Sequence, residues 1–382
     1  RPHCATPMGR KPLGLILFCV VIAFYARSAR FEFINFDDNI HIYENPHVIS
    51  GELSPIVEYW KNPVHQLFIP VTYSLWHLTA LTSRFLFGVI DGEPAGLCPA
   101  LFHAVSVGLH AFNALFVFLI LCYVLQSRLP SVLGALFFAF HPMQVETVCW
   151  ISGQKDLVAT FFALSAIYAP LKGRRFVPTV LFCLALLSSP STAVVPLFAF
   201  LLFKLASRKM PRGTLLVWAL VALMSALITK GLQPDAQLSV QVPWILRFWV
   251  VSDSLLFYLS KLLVPVGLAV DAGRRPEFIF TQPTLYVAWT IPTCLFIILW
   301  EKRKDARFWV TGVGFLAGLF PVLGFIPFAF QNHSTVADRY VYLPMLFAAV
   351  GLALAVKHIT QYPLSRVAAV WILLLSILSF RQ

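Results

Sequence analysis

Two adjacent aspartates, Asp37 and Asp38, stand in the stretch INFDDNIHIYENP, shortly after the first apolar segment of the chain. A carboxylate held next to a substrate hydroxyl can remove its proton and so act as a general base. On an extended backbone neighbouring side chains point to opposite sides, so we expect one aspartate to face a site and the other to be structural. A loop aspartate can equally be solvated or cap a helix, and the residues alone leave these interpretations open.

Other ionisable residues recur where later apolar segments end, and several of them can hold an anion. They are Glu146, Lys155, Asp156, Arg274, Asp338, Arg339 and Tyr340. An arginine fork can hold two phosphate oxygens at once, and a lysine provides a point charge. Structural interpretations stay open here too: Asp156 can lie near the positive end of a helix that begins there, and Arg339 can reach from a helix end towards the interface.

His141 and Glu146 come closest to a metal-binding pair, since they lie five positions apart. A metal site needs three or four ligands at recognisable spacings, and no companions with such a spacing stand near this pair. The seven cysteines are scattered and contain no CxxC motif. The sequence therefore predicts no metal and no other cofactor, and it leaves His141 and Glu146 as supporting residues of a site.

The composition indicates a membrane protein. Hydrophobic residues make up 59% of the 382 residues and charged residues only 12%, about half of the charged share that is usual in soluble domains. The net charge of +12 comes from short basic clusters between apolar stretches, as the positive-inside bias predicts for cytoplasmic loops. Such clusters meet anionic lipid headgroups favourably, and no basic folded domain is left to bind nucleic acid.

The apolar segments predict an all-α polytopic protein with about eleven transmembrane helices. The segments are 12–27, 99–126, 130–145, 157–171, 176–188, 193–206, 214–229, 284–300, 308–329, 341–356 and 366–380. They form a single predicted domain, 12–382, behind a cytoplasmic tail at 1–11. Residues 1–7 of that tail precede Met8, are expected to be either upstream or non-native sequence, and carry no weight in the fold prediction.

The longest external loop, 28–97, carries the acidic pair. Within it the stretch 66–90 is apolar but interrupted by polar residues, which predicts helices that lie in the membrane interface. The stretch 244–270 is also predicted to lie in the outer interface. If it spanned the membrane, the basic run at 301–307 would be external, against the positive-inside bias.

This topology predicts that six ionisable residues lie on the same face of the membrane, at helix ends. They are Asp37, Asp38, Lys155, Asp156, Asp338 and Arg339. Charges near membrane depth cost several kcal/mol unless they are paired or stand in a wet cavity. We therefore expect one polar cavity at the outer leaflet that is shared by these side chains.

Six stretches occur in the order of one known family: FINFDDNIHIYENPHV, FHAVSVGLHAFNALFVFLIL, GALFFAFHPMQVETVCWISGQKD, LLSSPSTAVVPL, LSKLLVPVGLAVDAGRRP and FQNHSTVADRYVYLP. Together they resemble bacterial relatives of the transmembrane O-mannosyltransferases that modify cadherins, which belong to the GT-C superfamily. The resemblance covers nearly the whole chain from about residue 12. It implies a GT-C-like bundle and a polyprenyl-phosphate sugar as donor.

The resemblance also implies roles for individual residues. The catalytic carboxylate of the first external loop falls on Asp37 or Asp38, and the lysine–aspartate step of the family falls on Lys155 and Asp156. The late arginine falls on Arg339, which is expected to hold the donor phosphate ahead of Lys155. Tyr340 can donate to the same phosphate and Arg274 stands in reserve. Asp156, Asp338, Glu146 and His141 are expected to support the site.

The expected function is therefore an inverting membrane glycosyltransferase. It moves mannose or another hexose from a polyprenyl phosphate to an acceptor hydroxyl of a protein or glycan, at the periplasmic face of a bacterial inner membrane. One departure weakens this expectation, because relatives commonly have a lysine where this chain has Ser189. A non-catalytic membrane scaffold is one alternative. A lipid or solute transporter is another, although it would need charges near mid-helix.

Overall fold

The computed structural model describes residues 10–174, 176–232, 242–325, 329–358 and 362–382, and over these ranges its regular structure is helical. The first helices are α1 (Arg10–Tyr25), α2 (Pro55–Tyr59), α3 (Pro70–Phe87), α4 (Pro99–Leu125), α5 (Arg128–Phe140), α6 (Val145–Cys149), α7 (Gln154–Leu171), α8 (Val177–Leu186) and α9 (Val195–Leu205). The later ones are α10 (Arg212–Leu232), α11 (Arg247–Leu263), α12 (Pro276–Thr281), α13 (Leu285–Ala288), α14 (Thr290–Glu301), α15 (Ala306–Leu319), α16 (Met345–His358) and α17 (Tyr362–Arg381).

The all-α prediction is confirmed, and each predicted apolar segment contains a helix. Two segments differ in detail. The segment 130–145 is interrupted after Phe140 because Pro142 follows; proline pushes the preceding residue out of the helical region, and His141 has φ −72° and ψ 131°. The segment 284–300 divides into α13 and α14. The predicted tail 1–11 lies almost wholly outside the described residues.

Three helical stretches in the described part of the chain are long and apolar enough to cross a membrane: Lys11–Arg30, Pro99–Leu125 and Arg212–Leu232. A fourth results if α5 and the 142–149 helix, which meet at 54°, are counted as one broken span. Several other apolar helices have 10–17 residues. The chain is thus a helical protein with membrane-type segments, while the number of about eleven spans stays a prediction.

The helices group into two compact units. Unit 1 contains residues 1–120, 147–196 and 210–233, and unit 2 contains residues 121–146, 197–209 and 234–382.

The segment between α1 and α4, in unit 1, folds around its own aromatic core. Tyr59, Tyr73 and Trp76 are almost completely buried there, and α3 supplies the latter two from successive turns of one face. The Tyr59 hydroxyl and the His77 ring form a hydrogen bond of 3.1 Å inside this core. The segment that carries Asp37 and Asp38 is therefore packed, and its aspartates have defined positions.

Unit 2 packs α5 against α16 and α17, and α15 against α16. Small residues permit the close approaches. A Cβ at Gly134 would stand 2.9 Å from the carbonyl oxygen of Ala349, and one at Gly314 would collide with the Phe347 ring. The stretch 244–270 contains α11, which is not among the candidate spans. The predicted place of this stretch in the membrane interface stays a prediction.

Candidate functional site

Asp38 is a buried carboxylate that ties two distant segments of unit 1 together. Its side chain accepts hydrogen bonds from the backbone N–H of Ser152 at 2.8 Å and from the Ser152 hydroxyl at 2.5 Å. It also accepts from the backbone N–H of Ile34 at 3.1 Å. The residue is 1% exposed. Asp38 therefore neither stands in solvent nor caps the turn that follows it, and its three bonds make it a structural link.

The partner of Asp38 comes from the WISGQKD stretch, 114 positions later in the chain. Trp150 anchors this stretch by donating its indole N–H to the carbonyl of Phe36 at 3.1 Å. The turn then closes tightly, since a Cβ at Gly153 would lie 2.5 Å from the carbonyl oxygen of Thr147. Only glycine fits this approach, and the turn aims Ser152 at Asp38. Two stretches of the family resemblance are thus in direct contact.

Asp37 differs from its neighbour in every one of these respects. Its φ of 64° is left-handed, a conformation that aspartate tolerates better than most residues. Its side chain is partly exposed and makes no hydrogen bond or ion pair within the described residues. Its charge acts on Asp38, His41 and Tyr73. Asp37 is therefore the available carboxylate of the pair.

Lys155 and Asp156 begin α7 and lie in the same unit as the acidic pair. Lys155 is partly buried, its ammonium stands 5.9 Å from the centroid of the Trp150 ring, and it makes no ion pair in the described ranges. Asp156 lies in the first turn of the helix, where the macrodipole favours a negative charge. It also accepts a long hydrogen bond of 3.4 Å from the Ser189 hydroxyl.

His41 belongs to this cluster, although the sequence analysis did not select it. It lies in a single π-helical turn, Asn39–Tyr43, a rare element that recurs at functional sites. Its Nδ1 and the Tyr73 hydroxyl are 2.8 Å apart, and its ring stacks on Trp76. The His65 ring meets it edge-on at 5.6 Å between centroids. These partners come from separate segments, so no spacing in the sequence indicates them.

The pKa values in the cluster follow from burial and from its charges. Burial raises the pKa of Asp38 to about 6, and the hydrogen bonds from Ser152 and Ile34 oppose the rise. Burial lowers the pKa of His41 to about 4, the charge of Lys155 lowers it further, and the charge of Asp37 opposes both. At neutral pH the imidazole is therefore uncharged and Asp38 is mostly ionised.

Unit 2 contains a second ionic cluster around Arg339. The guanidinium donates to a carboxylate oxygen of Glu146 at 2.5 Å, and the backbone N–H of Arg339 donates to the other oxygen at 3.0 Å. The guanidinium also lies over the rings of Phe330 and Tyr340, 4.3 and 5.1 Å from their centroids. Arg339 is 4% exposed. It is thus a buried ion-paired residue, and the interpretation as a side chain that reaches to the interface is wrong.

Asp338 stands beside this pair and is also buried. Burial raises its pKa to about 8, the charge of Glu146 adds to the rise, and the charges of Lys261 and Arg339 oppose it. Its carboxyl group is therefore largely protonated at neutral pH, and it supports the cluster as a neutral group. The sequence analysis did not predict that Glu146 pairs with Arg339. The only signal for this pair in the sequence is the opposite charge of the two residues.

The remaining predicted residues of unit 2 have structural partners. Arg274 forms a two-bond ion pair with the buried Asp253, with Nε 2.9 Å from one oxygen. His141 places Nε2 3.1 Å from the carbonyl of Leu262 and accepts from the backbone N–H of Met143 at 3.3 Å. No group of three metal-ligating side chains occurs within the described residues.

The predicted site residues thus fall into two sets. Asp37, Asp38, Lys155 and Asp156 belong to unit 1, and His141, Glu146, Arg274, Asp338, Arg339 and Tyr340 belong to unit 2. The cavity predicted to be shared by Asp37, Asp38, Lys155, Asp156, Asp338 and Arg339 stays a prediction.

Comparison with known proteins gives partial similarity to one group of transferases. The chain is 30% identical over 183 residues to Protein O-mannosyl-transferase TMTC1 of Mus musculus, and the aligned region is 44% of this chain and 17% of that protein. It is 26% identical over 211 residues to Protein O-mannosyl-transferase Tmtc1 of Drosophila melanogaster, covering 52% and 23%. It is 28% identical over 155 residues to Protein O-mannosyl-transferase TMTC3 of Homo sapiens, covering 38% and 15%.

The chain therefore matches less than a quarter of the length of these curated relatives. No protein-family model matches it, and no solved structure matches it. The relatives are animal proteins, so they give no support to a bacterial source or to a periplasmic face.

Proposed function

We propose that this chain is an integral membrane glycosyltransferase that moves a hexose from a polyprenyl-phosphate donor to an acceptor hydroxyl, with Asp37 as general base. The observation that carries the proposal is the asymmetry of the acidic pair. The Asp38 carboxylate is held by three hydrogen bonds, while the Asp37 carboxylate makes none in the described structure and shares the neutral His41 with Lys155 as a charged neighbour. The names of the relatives support transfer of mannose and a protein hydroxyl as acceptor.

The reaction needs one base and no acid. The donor phosphate is already a good leaving group, so no carboxylic acid has to protonate it. Asp37 takes the proton of the acceptor hydroxyl while the hydroxyl oxygen bonds to the anomeric carbon. The bond from that carbon to the phosphate oxygen breaks, and polyprenyl phosphate leaves with the electron pair. Attack from the face opposite the phosphate inverts the anomeric configuration.

The leaving phosphate gathers negative charge, and a fixed cation stabilises it. We place Lys155 ahead of Arg339 in this role. Lys155 lies in the same unit as Asp37 and makes no ion pair in the described chain. Arg339 already faces Glu146, and Arg274 faces Asp253, so a phosphate would have to share or displace a carboxylate there. The Tyr340 ring packs against the Arg339 guanidinium. Tyr340 therefore contributes to phosphate binding only if Arg339 does.

The proposal is tested by sugar transfer from polyprenyl-phosphate mannose by the purified protein in nanodiscs. Asp37→Asn removes the base without changing the shape of the side chain, and asparagine also tolerates the left-handed backbone. We expect the rate to fall about 100- to 10,000-fold. Asp91→Asn is the matched control, because Asp91 is an exposed aspartate of the same segment. A wild-type rate in Asp37→Asn overturns the base assignment.

One observation favours a second candidate, a non-catalytic scaffold derived from such transferases. Where relatives commonly have a lysine, the Ser189 hydroxyl bonds to Asp156 and lies 2.9 Å from the Ser191 hydroxyl. The cluster therefore has one cation fewer with which to hold a phosphate. Binding of polyprenyl phosphate to the purified protein separates the two candidates. A scaffold binds none at high concentration, whereas a transferase loses binding when Lys155 is replaced by methionine.

A further inference from the structure

One end of unit 2 carries a group of exposed lysines and arginines at the termini of its helices. They are Lys204 in the last turn of α9, Lys302, Arg303 and Lys304 directly after α14, Arg307 in the first turn of α15, and Lys357 in the last turn of α16. All six belong to unit 2. They are called the basic face below.

Side-chain contacts show that these helix ends lie next to one another. The Nζ of Lys204 lies 4.6 Å from the centroid of the Trp309 ring, which belongs to α15. The Nη1 of Arg307 lies 2.8 Å from Nε2 of His358, the last residue of α16. Lys357 donates to the last carbonyl of α4 at 2.7 Å. The ends of α4, α9 and α16 and the start of α15 therefore meet at one face.

Little negative charge opposes the basic face. Asp305 accepts from Nε and Nη2 of Arg307, each at 2.9 Å, so this carboxylate is already paired. Glu301, at the end of α14, is the other acidic residue of this stretch of chain. Lys204 and Lys304 make no ion pair within the described residues. An anion that binds here meets cations that no carboxylate compensates.

The helices that meet at the basic face are apolar, and this sets the depth at which the face lies. Helices α4, α9, α15 and α16 all belong to apolar helical stretches, and their charges here stand at their termini. Trp300 and Phe308 are 59% and 45% exposed, and the Arg303 guanidinium lies 4.5 Å from the centroid of the Trp300 ring. Tryptophan beside lysine and arginine is typical of the membrane–water interface. The face therefore stands at the depth of lipid headgroups.

Two arguments favour a lipid of the bilayer over other anions. The basic run at 301–307 is predicted to lie across the membrane from Asp37, so a phosphate bound here is not the donor phosphate. A soluble phosphate would meet the charges alone. A phospholipid also places its acyl chains against apolar surface, and Phe296 and Ile297 of α14 are 66% and 49% exposed.

We infer that the basic face binds the headgroups of anionic phospholipids and anchors this end of unit 2 in the leaflet opposite to the proposed site. The ring of Trp309 holds Lys204 at the start of α15, where its charge adds to the charges of the 302–304 run. The inference goes beyond glycosyl transfer and does not depend on it, because it assigns a second ligand class to a different unit.

The probe is phosphatidylglycerol, added to the purified protein in an uncharged detergent, with bound lipid measured by native mass spectrometry. We expect it to bind on the order of tenfold more tightly than phosphatidylcholine, which has no net charge. One basic residue near a membrane surface is worth about fivefold in affinity. Lys204→Gln and Lys304→Gln should each weaken phosphatidylglycerol binding by about that factor, and Lys204→Arg, which keeps the charge, should bind like the wild-type protein.

Lys172→Gln is the matched control. Lys172 is an exposed lysine of a basic run in unit 1 and also lies over an aromatic ring, 5.5 Å from the centroid of Tyr168. Its loss should leave the affinity within about twofold, as expected for a site in unit 2. An equal loss of affinity in Lys172→Gln would show attraction by net charge alone and overturn the inference. Equal binding of the two lipids by the wild-type protein would also overturn it.

Two competition experiments identify the source of the phosphate. Displacement of phosphatidylglycerol by inorganic phosphate would assign the face to a soluble anion, and loss of polyprenyl-phosphate binding in Lys204→Gln would assign it to the donor. Either result refutes the inference. If the protein transfers no sugar but keeps the lipid preference and its loss in Lys204→Gln, the proposed function fails and the lipid site stands.

Discussion

Asp37 and Asp38 are adjacent in the chain, yet their carboxylates meet different surroundings. Asp38 accepts from Ser152 and Ile34 inside the protein, whereas Asp37 is partly exposed and unbonded within the described part of the chain. A buried carboxylate with three donors is costly to disturb. An exposed one without partners can change its protonation state during a reaction with little effect on the fold.

Replacement of Asp38 by asparagine should therefore destabilise the protein, and the same change at Asp37 should not. In Asp38→Asn one acceptor oxygen becomes an NH₂ group that faces an N–H donor, because Ser152 and Ile34 bond to different oxygens. We expect a loss of about 1–3 kcal/mol, seen as a lower melting temperature in detergent. Asp37→Asn should melt like the wild-type protein. Equal destabilisation by both changes would contradict the division of roles.

Asp338 allows a test of pH dependence in unit 2. Its folded-state pKa of about 8 lies above the ordinary value of 3.8, so the folded state holds one proton more between these values. Stability from this group therefore falls as pH rises, by about 1.4 kcal/mol per pH unit, and levels off above about pH 8. The measurement is the melting temperature of wild type minus that of Asp338→Asn. The difference should shrink from pH 5 to 8, and a constant difference would refute the burial of this proton.

At the level of elements, the turn before α7 positions the site. Trp150 and Ser152 lie on it, Lys155 follows in the first turn of α7, and the turn bonds to the 36–38 stretch through Trp150 and Ser152. Gly153 allows the turn to close against the Thr147 carbonyl. The geometry of the site therefore depends on a residue that has no functional group.

Gly153→Ala should displace this turn, because the new Cβ would stand 2.5 Å from a backbone oxygen that cannot move away. A displacement of about 1 Å near the reacting groups lowers rates on the order of 100-fold. We expect such a loss of sugar transfer together with a lower melting temperature. Gly213→Ala is the control, since a Cβ there meets nothing within 4 Å. Transfer at the wild-type rate in Gly153→Ala would show that the turn does not position the site.

The sequence predicted the elements better than their partners. Apolar runs showed where the helices lie, because a helix covered by lipid and a helix covered by protein both need apolar side chains. The break at Pro142 follows from a local rule of the same kind. Residue type and position at the ends of apolar segments indicated Asp37 and Lys155, and the family resemblance implied their roles. Ser152, His41 and Tyr73 were missed because their bonds join segments that are far apart in the chain, and no local spacing indicates a contact of that kind.

At the scale of the whole molecule, the basic clusters of the sequence predict which side of the membrane each loop faces. The basic runs at 172–175, 207–212 and 301–307 follow apolar segments that alternate with the loops bearing the acidic and ion-paired residues. The positive-inside bias acts on such short loops. It predicts that the stretch 28–97, with Asp37, faces the side opposite to these runs, where a lipid-linked sugar and an acceptor can meet.

Cysteine labelling with a membrane-impermeant maleimide in sealed cells tests this orientation. In a background without the seven native cysteines, Lys61→Cys should react from outside and Lys172→Cys only after permeabilisation. Both side chains are exposed in unit 1, so access to solvent is equal and only the membrane separates them. His333→Cys and Lys304→Cys provide the same comparison in unit 2. Labelling of both members of a pair from the same side would contradict the predicted topology of that unit. It would also remove the common external face on which a shared site depends.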